Sequence, residues 1–279
     1  MPNGVLTAQD ASAAPEFWRD ARLPFIEGRS IRDGRKVCYA KHSHETFSIG
    51  VITGGRSTYL NGKTRERVGA GAVVVMNPEE VHACNPIDDE PWSYRMLYVD
   101  VPWLTTLQRD LGFSHNLDFR AFSATVTTEP RLYAGFNRLY GILTSPGAED
   151  LHKHSAAITF FSQVQQALNP APTAPREDNQ KLQRAADFIR DNCTRSLKLE
   201  DICAAADLSP SYLTRAFKKR YGMTPHAYLV NRRIQYARTR LKRGHMIADV
   251  ALDAGFADQA HFQRAFKRVI AATPGQYRG

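Results

Sequence analysis

Hydrophobic positions recur every second residue in the early part of the chain and every third or fourth residue later. The run Phe47-Ser48-Ile49-Gly50-Val51-Ile52 alternates apolar with small residues and stops at Gly54-Gly55, which predicts a strand. Thr58-Tyr59-Leu60 followed by Asn61-Gly62 predicts a strand entering a hairpin turn. Ala72 to Met76 reads as a buried strand closed by Asn77-Pro78, and Tyr94 to Val101 as another. From Glu129 the period becomes helical: Leu132, Phe136, Leu139 and Leu143 share one stripe, and a second helix is predicted over about 148–168. Short strands with glycine-rich turns and then two helices predict a small β-barrel or sandwich with a helical appendix. The stripe suits either packing on the barrel or pairing with a second subunit.

The pattern breaks at Asn169-Pro170-Ala171-Pro172-Thr173-Ala174-Pro175, where closely spaced prolines deny the backbone helical hydrogen bonds. This predicts a linker over 169–179 between a first domain, 1–168, and a second, 180–279.

The second domain contains an internal repeat. Arg215-Ala216-Phe217-Lys218-Lys219, then Thr224-Pro225 and Tyr228, recur as Arg264-Ala265-Phe266-Lys267-Arg268, then Thr273-Pro274 and Tyr277. Each copy reads as helix, tight turn, helix. In the first, a helix over 199–206 stops near Asp207, and Ser209 followed by Pro210 is a favoured helix start. In the second, a helix over 247–254 ends at Gly255 and Asp258 caps the next. Pro225 to Leu241 reads as one long joining helix, with Leu229, Ile234, Ala237 and Leu241 inward and Arg232, Arg233, Arg238 and Arg240 mostly outward.

Charge sharpens this division. Residues 180–279 carry 19 basic and 8 acidic side chains, net +11, whereas the remainder carries 18 and 20, net −2. Basic charge gathered in one domain is the footprint of a phosphate-backbone partner. No amphipathic helix offers an apolar face to a membrane, and no apolar run approaches the ~18 residues needed to span one. The 43% hydrophobic and 23% charged composition of the 279 residues excludes a disordered or fibrous protein. There is no secretion-signal pattern. Cys38, Cys84, Cys193 and Cys203 are scattered and read as reduced, mostly buried thiols, so a cytoplasmic protein is expected.

The second helix of each repeat is the one expected in a DNA major groove. Its outward face carries Ser211, Thr214, Arg215, Lys218 and Lys219 in the first copy, and Gln259, His261, Gln263, Arg264 and Lys267 in the second. Arginine can grip guanine and glutamine adenine through paired hydrogen bonds, while lysines near the helix ends suit phosphates.

The run Ile247-Ala248-Asp249-Val250-Ala251, Gly255-Phe256, His261-Phe262, Arg264, Phe266-Lys267-Arg268 and Thr273-Pro274 closely resembles the signature of the AraC/XylS family of transcription regulators. One departure is Ala271, where that family has glycine and the first copy keeps Gly222; the last reading helix should close differently or under strain. The resemblance implies an α+β chain of two domains: a cupin-like β-barrel with a helical appendix, and an all-α domain with two helix-turn-helix units joined by a long helix. It implies promoter DNA, RNA polymerase and a small-molecule effector as partners, dimerisation, base contacts by Arg215 and Arg264, no enzymatic activity and no cofactor.

In the first domain the chemistry centres on His42-Ser43-His44-Glu45 and on His82 after a buried strand. Residues two apart on a strand share a face, so His42 and His44 converge with His82. Together they suit an organic-ligand pocket, with Trp92 and Tyr94 as walls and Arg95 or a histidine as polar anchor; the resemblance to regulators with a similar His-x-His-Glu sensor domain implies an amino acid or similar metabolite as a candidate effector. The three histidines are also candidate ligands for Zn²⁺, or else structural residues. Metal-binding cupin enzymes add a glutamate where this chain has Ser48 and Ile49, and Glu45 points the other way. The alternative function is therefore a metal-dependent cupin enzyme or metal sensor fused to a DNA-binding module. A non-specific architectural DNA binder is a further alternative.

Overall fold

The computed structural model describes residues 15–113, 118–168 and 180–279, so the predicted linker 169–179 lies outside the described residues. Among the described residues the first domain has nine strands: β1 (Glu16–Trp18), β2 (Ile26–Ile31), β3 (Phe47–Gly54), β4 (Arg56–Asn61), β5 (Thr64–Gly69), β6 (Val73–Met76), β7 (His82–Pro86), β8 (Ser93–Val99) and β9 (Val126–Thr127). They pair as a six-stranded sheet, β1-β2-β8-β3-β6-β9, and a three-stranded sheet, β5-β4-β7. The chain passes from one sheet to the other at Gly55, whose φ of +66° places it in the left-handed region and whose missing Cβ lets the Pro91 carbonyl come close. Among the described residues the strands pair as these two sheets, whose inner faces share one core.

Strict alternation sorts the larger sheet's side chains. Phe47, Ile49 and Val51 of β3, Val73 and Val75 of β6, and Leu97 and Val99 of β8 pack on one face against three helices, α1 (Val101–Asp110), α2 (Pro130–Thr144) and α3 (Asp150–Leu168). Leu132, Phe136, Leu139 and Leu143 supply the α2 side of that core, as the stripe predicts. The opposite residues, Ile52, Val74, Met76, Tyr94 and Met96, face the smaller sheet.

The second domain holds seven helices: α4 (Gln180–Asp191), α5 (Leu199–Ala206), α6 (Pro210–Tyr221), α7 (Pro225–Lys242), α8 (Ile247–Asp253), α9 (Gln259–Ile270) and α10 (Pro274–Arg278). The helix starts follow local chemistry. The Ser209 and Asp258 side chains accept from the backbone N–H of Tyr212 and His261, and Pro210, Pro225 and Pro274 fill first-turn positions. α7 is shared: Tyr228 and Leu229 enter the core of the first unit, whereas Ile234, Ala237 and Leu241 enter that of the second. Ala271 closes α9 in the left-handed conformation, φ 53°, as Gly222 closes α6 at φ 70°.

Two expectations change. Arg232 and Arg238 of α7 do not face outward; they are buried against the first domain, because acidic partners reach them from strands and loops far away in sequence. Of the cysteines only Cys203 is buried, Cys84 and Cys193 are half-buried and Cys38 is exposed; all four are free.

Candidate functional site

Three arrangements carry chemistry: a cavity between the sheets, the exposed faces of α6 and α9, and the contact between the domains. The cavity has about 430 Å³ of space between atoms, part of it open to solvent. Tyr94, Met96 and Tyr98 of β8 and Val74 and Met76 of β6 enter from the larger sheet, His82 and Cys84 from β7, and Tyr39, His42, His44, Ile52 and Trp92 complete the wall. Gly50 makes room, since a Cβ there would overlap the Met96 sulfur. Burial pushes the Cys84 thiol up to about 12.

His42, His44 and His82 do converge, but through an isolated bridge and not along one strand. His42 and His82 exchange backbone hydrogen bonds of 3.1 and 2.9 Å. Their rings lie 4.5 Å apart, and His44 is 4.7 Å from His82. Each Nδ1 is 2.8 to 2.9 Å from a backbone carbonyl, that of Ala40, Thr46 and Glu80 respectively, which assigns the proton to Nδ1 and leaves Nε2 an acceptor. Burial, and for His42 and His44 the neighbouring His82, hold these imidazoles neutral well below the usual range; burial brings His82 to about 4. Among the described residues no three His, Cys, Asp or Glu side chains are arranged to hold a metal ion. Ser48, where a carboxylate would be needed, has its hydroxyl 3.3 Å from His44 Nε2.

Trp92 and Tyr94 line the cavity and stack at 4.8 Å. Arg95 does not: alternation turns it to the helix side, where Nη1 donates to Asn137 Oδ1 at 2.8 Å and the guanidinium rests on the Tyr140 ring. The wall residues Tyr39, Ile52, Val74, Met76, Cys84, Met96 and Tyr98 escaped the sequence reading. Tyr94-x-Met96-x-Tyr98 was a readable signal, because residues two apart share a face.

On the DNA-binding side, Arg215, Lys218 and Lys219 are exposed on α6, and Gln259, Gln263, Arg264 and Lys267 on α9. Thr214 is half-buried and its hydroxyl donates to the Pro210 carbonyl at 2.9 Å. His261 is half-buried with its ring edge-on to Phe256 at 5.3 Å, so it is the least available of the set. The side chain of Ser211 lies outside the described residues.

The domain contact is polar and extensive. Arg232 pairs with Glu45 at 2.8 Å and with Glu79. Asn231 and Gln235 bond Ser43, and the Ala40 N–H donates to the Arg268 carbonyl at 3.0 Å. Deeper, Glu27 is held by Lys242, by Arg19 at 3.2 Å and by Arg238 at 4.0 Å. Burial opposes its ionisation, but these cations keep its carboxyl below the usual range. His42, His44 and Tyr98 line both the sheet cavity and a narrower space between the domains, where they meet Arg238, Val269, Ile270 and Tyr277. Among the described residues no helix is long and apolar enough to cross a membrane.

Residues 26–159 match the AraC-like ligand binding domain family, and residues 202–279 match a helix-turn-helix domain family. The chain is 26% identical over 236 residues to the uncharacterized HTH-type transcriptional regulator YbfI of Bacillus subtilis, covering 80% of this chain and 81% of that one. It is 25% identical over 223 residues to the arabinose operon regulatory protein of Salmonella typhimurium, covering 75% and 74%. Its fold is similar to that of apo ToxT from Vibrio cholerae, with a TM-score of 0.59, 17% identity, and 91% and 96% of the two chains covered.

Proposed function

The chain belongs to the AraC family of transcription regulators, and from that premise we propose that an effector in the sheet cavity governs how α6 and α9 are presented to promoter DNA. The observation that carries this is continuity: the segments that line the cavity also hold the DNA-binding domain. His42 and His44 face the cavity while Ser43 and Glu45, between and beside them, bind Asn231, Gln235 and Arg232 of α7. The ends of both reading helices also meet this region: Gly222 abuts Val81, and Arg268 receives the Ala40 N–H. An occupant that shifted residues 40–45 or 79–82 would act on both units.

In this reading 1–168 is the effector-binding domain, 169–179 the linker and 180–279 the DNA-binding domain. Arg215, Arg264, Gln259, Gln263, Thr214 and Ser211 contact bases, with His261 at the margin, and Lys218, Lys219 and Lys267 contact phosphates. The protein acts in the cytoplasm, without catalysis, and passes its signal to RNA polymerase. It forms a dimer through α3, where Leu151 and Ile158, one heptad apart, are 77% and 47% exposed. The sheet-cavity effector contacts are His42, His44, His82, Trp92 and Tyr94; Arg95 faces the helices instead.

Operator binding measured against a panel of single-base variants tests the specific reading. Arg264→Ala should cost about 1–3 kcal/mol concentrated at one base position. A uniform loss across all sequences would instead support the non-specific architectural binder.

A further inference from the structure

Arg29 lies in the middle of β2 and is 2% exposed, yet its Nε and Nη2 have no hydrogen-bond partner among the described residues. These two nitrogens share one edge of the guanidinium, the edge that grips a carboxylate through two parallel N–H···O bonds. A buried cation ordinarily takes a carboxylate counter-ion. The nearest acid in sequence, Glu27, shares the strand face of Arg29 but is engaged by Lys242, Arg19 and Arg238. Arg29 has rings for neighbours instead, with the centroids of Phe17 and Tyr39 both 5.3 Å from its Cζ. Three cations, Arg19, Arg238 and Lys242, thus share the carboxylate of Glu27, while Arg29 lines the same space between the domains.

This cationic cluster adjoins the sheet cavity. Arg29 lines the narrow space between the domains, and His42, His44 and Tyr98 line both that space and the cavity. The histidines are neutral and add no competing charge. We propose that Arg29 anchors a small organic carboxylate whose apolar or aromatic body occupies the cavity between the sheets. The inference rests on that cavity being the effector site, and it names the chemical class of the effector. A carboxylate there would also meet Arg238 of α7, so that the ligand head would touch both domains.

Isothermal titration of the full chain with benzoate and octanoate, and with benzamide and octanamide, tests it. At least one carboxylate should bind tenfold or more tighter than its amide. Arg29→Met should abolish that preference and raise the melting temperature of the unliganded protein, since it removes a buried cation without a counter-ion. A merely structural arginine would lower it. Arg29→Lys, which keeps the charge but not the fork, should fall between, and it carries the test if Arg29→Met does not fold. Equal binding of acid and amide, binding by none of the four probes, or an unchanged carboxylate affinity in Arg29→Met would overturn the proposal. Ile52→Trp, which fills the cavity, separates the two levels. If acid and amide bind equally and Ile52→Trp removes both, the effector cavity stands and only the anion assignment falls; if carboxylate binding survives Ile52→Trp, the cavity assignment falls.

Discussion

The two helix-turn-helix units are copies of one motif, yet the sheet domain holds them by different chemistry. At the first unit the ion pairs are open to solvent: Glu45 and Glu79, the partners of Arg232, have side chains 65% and 42% exposed. At the second, Glu27 is 5% exposed and enclosed by three cations, Phe17 meets Tyr277 edge-on at 5.0 Å, and Arg19 lies over the same ring. Water and salt compete with the first contact and are excluded from the second. The second unit is therefore the fixed one, and the first is the natural place for a small change in the sheet domain to be felt.

Removing Glu27 should break this contrast most severely. Glu27→Ala leaves Arg19, Arg238 and Lys242 without their shared carboxylate, and about 3–5 kcal/mol of stability should be lost in urea unfolding. A loss below about 1 kcal/mol would mean that the second contact is no stronger than the first.

Acid should come next. The folded-state pKa values of His42, His44 and His82 lie below that of an unfolded histidine, so the unfolded chain binds more protons in between. Stability is then unaffected above about pH 6.5, the ordinary histidine value, and falls as the pH drops toward the folded values. For His82, brought to about 4, the full loss is on the order of 3 kcal/mol. Unfolding followed from pH 7 to pH 4 should show this fall, and His82→Gln should flatten it; a flat wild-type profile would mean these rings are solvated.

Glu79→Gln should have a smaller effect. It loosens one half-exposed ion pair to Arg232 and should cost about 1 kcal/mol or less. Moderate salt should erase that difference while leaving the Glu27→Ala loss in place, and equal salt sensitivity of the two variants would contradict the distinction between open and enclosed contacts.

What the sequence revealed follows the same division between local and distant causes. The repeat, the Ser209 and Asp258 caps, the left-handed Asp207 and Gly255, and the α2 stripe are set by residues within a turn or two of one another, and all were readable. Arg232 and Arg238 were not. On a helix, a charged face toward water and one toward a charge-lined protein surface give the same pattern, and here the partners lie more than 150 residues away. Arg95 is a simpler case: it sits beside Tyr94 on β8, and period two sends it to the opposite face. Glu27 and Arg29 sat in plain view, two charges on one face of an otherwise apolar and small-residue strand.

The helix ends offer the finest comparison between the units. Gly222 and Ala271 occupy the same place in the two copies, both with positive φ, and Ala271 closes its helix by the same bond, N–H to the Lys267 carbonyl at 2.8 Å. A side chain in the left-handed region costs roughly 1–2 kcal/mol, so glycine at 271 would relieve strain. Ala271 also packs on the core between the sheets, and removing a methyl from such a contact costs up to about 0.8 kcal/mol, while a new glycine loosens the unfolded chain by a further 0.4–1 kcal/mol, roughly. These terms nearly cancel, so Ala271→Gly should change stability by less than about 1 kcal/mol. At Gly222 the strain and a steric contact act together and outweigh the roughly 0.4–1 kcal/mol gained by stiffening the unfolded chain. A Cβ there meets Val81 side-chain atoms at 3.3 Å in addition to the left-handed strain, and Gly222→Ala should cost about 1–2 kcal/mol. If Ala271→Gly instead stabilised the protein by well over 1 kcal/mol, the methyl would contribute nothing to the domain contact, and the absent glycine would be a defect of the second unit, not part of what fixes it in place.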